Sequence, residues 1–167
     1  MSTVTWAALS DQLVYGSIAV YVLAMLAYAA ETAGRVSRGA AAERSENVLV
    51  SSGAPADSTV SSSANEEQAQ RSYRSHRLGA IAVSLTVLAF LLNLGAVAAR
   101  GLAAQRAPWG NMYEFALVAG VTAGAAFLFF VTKQPVRELG VWIVAAVVLA
   151  LGLAVTVLYT PADSLTP

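Results

Sequence analysis

The chain has 167 residues, 57% of them hydrophobic and only 12% charged, where a soluble domain carries roughly 25% charged residues. Ten basic and ten acidic residues cancel to zero net charge, and no basic stripe with interleaved aromatics occurs, which sets nucleic acid aside as a partner. With no cysteine and one histidine, His76, the chain excludes disulfides, thiolate metal sites and haem attachment through its own C-x-x-C-H, and a zinc site of its own is not expected. Mean hydropathy is +0.61, so lipid is expected to be the main solvent of the side chains.

Four stretches lack Asp, Glu, Lys and Arg. They are QLVYGSIAVYVLAMLAYAA after Asp11, LGAIAVSLTVLAFLLNLGAVAA between Arg77 and Arg100, FALVAGVTAGAAFLFFVT between Glu114 and Lys133, and LGVWIVAAVVLALGLAVTVLYTPA after Glu138. Each is about 18 to 24 residues long, and a helix needs about 20 to cross the hydrocarbon core. Outer-membrane strands would alternate polar with apolar, and these do not. The expected fold is therefore all-α: a polytopic membrane protein with four transmembrane helices. With no ionisable residue inside the runs, an ion pump or proton-coupled carrier housed in this chain alone is not expected.

The predicted order runs as follows. An N-terminal tail and first helix occupy 1–31, a flexible cytoplasmic loop 32–77 and a second helix 78–99. An outer loop spans 100–112, a third helix 113–132, a short turn 133–140, a fourth helix 141–160 and an outer tail 161–167. No basic residue precedes the first run, so it reads as an uncleaved anchor rather than a signal peptide. Basic residues divide eight to two in favour of the first and third loops. The positive-inside rule then places both termini and the second loop outside.

The segment 39–70, GAAAERSENVLVSSGAPADSTVSSSANEEQAQ, is dominated by Ser, Ala and small polar residues. It lacks the apolar surface to offset ordering entropy and reads as the flexible part of the loop. Arg71, Arg74 and Arg77 in RSYRSHR recur every third residue, the pattern of a basic anchor at anionic headgroups. His76 reads as a solvated member of that cluster; a metal or haem ligand on the cytoplasmic side is the sharper alternative. In KQPVRELG, Pro135 fits a turn that makes the third and fourth helices antiparallel neighbours.

Inside the spans, Ala116, Gly120 and Gly124 fall four apart on one face, and GVTAG is a G-x-x-x-G motif. Such a face lets another helix approach closely; it serves packing within the chain or docking of a second subunit. Asn93 is the most polar side chain deep in a run. A buried amide needs partners, and Asn93 is expected to bond another helix, with a substrate or cofactor contact as the alternative.

The stretch RAPWGNMYEF opens the third run. Pro108 ends what precedes it and Gly110 permits a sharp bend. Asn111 is a strong N-cap, and Glu114 three residues later completes a capping box. The Asn111 side chain should accept the Glu114 N–H, while the Glu114 carboxylate reaches back and faces the positive end of the helix dipole. Trp109 and Tyr113 fall at the depth where amphipathic aromatics collect.

P-W-G-N-M-Y-E-F opening a transmembrane helix resembles the cytochrome c assembly protein family, in particular the ResC/CcsA type of system II, called CcsB in many actinobacteria. The family pattern P-x-x-N-x-Y-E maps onto Pro108, Asn111, Tyr113 and Glu114. The resemblance implies a bacterial cell-membrane protein that works with a ResB-like subunit. Together they would move haem to the outer face for covalent attachment to apocytochrome c. It implies haem b as the substrate of the assembled complex, with Trp109, Tyr113 and Arg106 supporting the haem site and Arg106 pairing with a propionate. Neither a catalytic nor a metal-ligating residue is expected in this chain. The family's Trp-rich WWD segment and flanking histidines lie further along, and Arg106 stands where some relatives carry His. The chain is therefore expected to be the N-terminal half of such a protein. The alternative is a non-enzymatic four-helix membrane scaffold or half-transporter.

Overall fold

The structure is a computed structural model that describes the backbone of residues 3–52, 58–105, 107, 110–133 and 139–159. It describes their side chains except at residues 3, 38–52 and 58–76. Four helices follow in order: α1 (Thr3–Ser52), α2 (Ser58–Ala104), α3 (Met112–Lys133) and α4 (Gly140–Val157). Among the described residues there is no strand. Each helix contains a stretch long and apolar enough to cross a membrane. The protein is an all-α polytopic membrane protein.

The reason for the bundle lies in the spacing of the buried positions. In α1 these are Ser10, Val14, Ser17, Tyr21, Ala24, Tyr28 and Glu31; in α2 they include Gly79, Ala82, Thr86, Ala89, Asn93, Ala96, Arg100 and Ala103. The α3 row is Tyr113, Leu117, Gly120, Gly124 and Phe127, and the α4 row is Gly140, Val144, Val147, Leu151 and Ala154. All four rows step by alternating threes and fours, the repeat of a left-handed supercoil. α1 packs on α2 and α4, and α3 packs on the same two. Tyr113 at the start of α3 meets Tyr159 just past α4, so these two helices are antiparallel neighbours.

Between 22% and 28% of the residues in the apolar stretch of each span are buried, so a narrow row of each span carries the packing. Phe115, Phe129, Trp142, Leu149 and Leu153 are among the large exposed side chains. In water such a surface would drive aggregation; in lipid it is solvated. The inward rows are narrow and rich in Ala and Gly, which brings the backbones close. A Cβ at Gly140 would lie 2.9 Å from the Tyr28 ring, and one at Gly79 would lie 2.7 Å from the Glu31 carboxylate.

Two expectations are corrected. Residues 39–52 and 58–70 are helical, continuing α1 and preceding the apolar part of α2, where composition predicted a flexible loop. The Ala, Glu, Gln and Arg in AAAERSEN and ANEEQAQR have high helix propensity, and each stretch adjoins a helix already nucleated by its membrane-spanning part. Residues 53–57 lie outside the described residues. Second, the helices run past the charge-free stretches, so they contain ionisable residues. Glu31 is 3% exposed, and Arg100 and Glu114 are 1% exposed each. The loop positions expected for Arg100 and for Glu31's neighbour Thr32 thus fall inside helices. The turn predicted at Pro135 lies outside the described residues.

Candidate functional site: a charged cluster at the terminus end of the bundle

The start of α1, the end of α2, the start of α3 and the residues after α4 meet at one end of the bundle. Arg100 stands at its centre. Its Nη1 donates to Asp11 Oδ1 at 3.3 Å, and its Nε lies 3.8 Å from Glu114 Oε1. Its guanidinium carbon is 4.4 Å from the centroid of the Tyr113 ring. One cation thus sits between two carboxylates and against an aromatic face. Guanidinium suits this position because it stays charged, forks toward carboxylates and is weakly hydrated.

The start of α3 supplies the second half of the cluster. The Glu114 N–H donates to Asn111 Oδ1 at 2.8 Å, which is the cap the sequence predicts. Glu114 Oε2 accepts the Gly110 N–H at 2.9 Å. The return bond therefore reaches one residue further back than the Asn111 N–H of an ordinary capping box, because Gly110 turns its own N–H inward. One carboxylate serves two purposes: Oε2 ties down the turn before α3, and Oε1 faces Arg100.

α1 and the chain after α4 close the cluster. The Tyr159 hydroxyl donates to Asp11 Oδ2 at 2.8 Å, and its ring meets Tyr113 edge-on at 5.6 Å. The Ser10 hydroxyl donates to the Ala96 carbonyl at 2.9 Å, joining α1 to α2. The hydrogen bond to Asp11, with partial burial second, pushes the Tyr159 phenol above the ordinary tyrosine range.

The predicted site residues divide accordingly. Asn111, Tyr113 and Glu114 come together with Arg100. Tyr113 is 1% exposed, so it faces the bundle interior rather than the membrane interface where its aromatic character alone would place it. Arg106, Pro108 and Trp109 lie outside the described residues, as does the His76 side chain. Gly120 and Gly124 face other helices of the same chain. A Cβ at Gly120 would meet Asn93 at 3.0 Å and Leu151 at 3.1 Å; one at Gly124 would meet Tyr21 at 2.9 Å and Phe90 at 3.2 Å. Asn93 is fully buried, and neither its amide nitrogen nor its oxygen has a hydrogen-bond partner. That corrects the expected bond to another helix: Asn93 faces Gly120, which has no side chain to offer. An unsatisfied buried group costs about 1–3 kcal/mol.

Sequence reading missed Asp11, Arg100 and Tyr159 as members of one cluster. Asp11 and Arg100 are far apart in the chain, and each looked like the charged border of a separate apolar run. The recurrence of Ser10, Ser17, Tyr21, Tyr28 and Glu31 in steps of 7, 4, 7 and 3 was the available signal that α1 carries a polar inward row.

At the opposite end, Glu31 pairs with Arg35 one turn along α1 at 2.6 Å. The Thr86 hydroxyl donates to Tyr28 Oη at 3.4 Å. Among the described residues no three His, Cys, Asp or Glu gather as a metal site would need. No family model, curated protein or solved structure matches this chain.

Proposed function

We propose that this chain is a membrane subunit of c-type cytochrome biogenesis. In this reading it helps handle or export haem for covalent attachment to apocytochrome c at the outer face of a bacterial cell membrane, with a ResB-like subunit as partner. The observation that carries the reading is the P-x-x-N-x-Y-E pattern at Pro108, Asn111, Tyr113 and Glu114.

The geometry supports a specific division of labour. Asn111 and Glu114 fix the first turn of α3, and Arg100 and Asp11 hold that turn to α2 and α1. A rigid support of this kind suits a segment that must present a large planar substrate in one orientation. Tyr113 is covered by Arg100 on its face and Tyr159 at its edge; it belongs to the support. Trp109 and Arg106 precede the fixed turn and are the residues assigned to haem, Trp109 by stacking and Arg106 by pairing with a propionate. The chain itself is assigned no catalytic step.

Deleting the gene and staining membrane proteins for covalently bound haem tests the proposal. Loss of the stained c-type cytochromes is expected. Normal levels of every one of them would sink the idea.

A further inference from the structure

The bundle returns its buried Ser and Thr hydroxyls to the backbone. Ser10 donates to the Ala96 carbonyl, Ser17 to Val14 and Thr86 to Ala82. Asn93 and Tyr21 are treated differently. Asn93 is 0% exposed with both amide atoms unpartnered, and Tyr21 is 1% exposed with an unpartnered hydroxyl. They come from different helices, α2 and α1, yet point at one strip of α3.

Two glycines define that strip. A Cβ on Gly120 would lie 3.0 Å from Asn93 Nδ2, and a Cβ on Gly124 would lie 2.9 Å from the Tyr21 hydroxyl oxygen. Cβ positions four apart on a helix are about 5–6 Å from each other. The two polar heads therefore lie against neighbouring turns of α3. Neither head bonds the other, and one shared oxygen between them would satisfy both with bonds of about 2.8 Å. Side chains at either glycine would fill the place of the heads themselves. Leu151 of α4 and Phe90 of α2 close the strip at its two levels.

We propose that Asn93, Tyr21 and the Gly120–Gly124 strip form a binding site for one internal water molecule in the middle of the membrane-spanning bundle. The chemistry of the heads selects the ligand. Neither amide nor phenol is charged, so an ion would enter uncompensated. The ligand must both donate, to Asn93 Oδ1, and accept, from Tyr21 Oη or Asn93 Nδ2. It must be small, since the strip is closed by Leu151 and Phe90. Water meets all three demands, and lipid tails meet none. The bound molecule links α1 to α2, beside α3, where Tyr21 and Asn93 make no direct bond. This site is independent of any part in haem handling.

The test uses the full chain in lipid nanodiscs, with the asparagine side-chain amides labelled for NMR. The Asn93 amide signal is assigned by its absence in Asn93→Leu. A dipolar cross-peak between that amide and water is expected, because bulk water does not reach this depth. In Tyr21→Phe, which removes only the hydroxyl, the backbone amide spectrum should persist and the water cross-peak should be lost. Absence of the water cross-peak in the unsubstituted chain overturns the proposal. So does a cross-peak that goes to the Tyr21 ring instead, which marks a direct bond, or one that survives unchanged in Tyr21→Phe.

Discussion

The guanidinium of Arg100 lies over the ring of Tyr113, 4.4 Å from its centroid. This contact joins the last turns of α2 to the first turn of α3, beside the Asp11 and Glu114 carboxylates. Arg100 is 1% exposed, so removing its charge strands the buried Glu114 carboxylate, while Asp11, a quarter exposed, keeps only the Tyr159 hydroxyl. Breaking a buried pair from one side costs about 3–5 kcal/mol. Arg100→Met should therefore lower unfolding stability in detergent by that order, measured by thermal or denaturant unfolding. Arg100→Lys should fall between the two, since it keeps the charge and loses the fork and the stacking plane.

Asn111 is the acceptor for the Glu114 N–H at 2.8 Å. Asn111→Ala should destabilise the start of α3 by roughly 0.5–2 kcal/mol, while Asn111→Asp should retain most of the cap. Hydrogen exchange at the Glu114 amide reads this directly: it should speed up in Asn111→Ala and stay slow in Asn111→Asp.

The glycines of the bundle should separate sharply by what surrounds them. Gly124→Ala places a methyl 2.9 Å from the Tyr21 hydroxyl and 3.2 Å from Phe90, an overpacking expected to cost about 1–3 kcal/mol. Gly152→Ala meets nothing within 4 Å and should be neutral or stabilising by up to about 1 kcal/mol through helix propensity. Thermal unfolding of the two variants side by side checks both signs.

Tyr159 supplies a pH dependence. Its phenol is raised by the hydrogen bond to Asp11 first and by partial burial second. A tyrosine whose folded value exceeds its unfolded one, about 10, contributes stability that is complete below that pH. The contribution fades as the pH rises through the folded value. Unfolding curves of the unsubstituted chain and Tyr159→Phe should therefore differ at neutral pH and converge in alkali. Phenolate absorbance should show one fewer late-titrating tyrosine in Tyr159→Phe than in the unsubstituted chain.

Much of the fold was legible because lipid imposes a simple rule. Charge-free stretches long enough to cross the hydrocarbon core mark the spans, and α3 and α4 fall within a few residues of the expected bounds. The Asn111–Glu114 cap was legible because capping is local: both partners lie within one turn. The cluster around Arg100 was not, because it depends on which ends of four helices meet. A charge that borders an apolar run looks solvent-facing until a second helix supplies its partner, as Asp11 does for Arg100. Residues 39–52 and 58–70 misled for another reason. Their lack of apolar surface argues against a packed core, but a helix extended from a neighbouring span needs no core of its own.

We propose that the fixed turn at the start of α3 serves haem attachment. The most direct measurement is covalent haem staining of membranes from a strain lacking the gene, complemented with the unsubstituted gene or with Glu114→Ala at matched protein levels. Glu114→Ala removes the carboxylate that binds the Gly110 N–H and faces Arg100. Full restoration of c-type cytochromes by the unsubstituted gene and a marked deficit with Glu114→Ala are expected. Full cytochrome content without the gene, or equal restoration by both versions, would contradict the proposal.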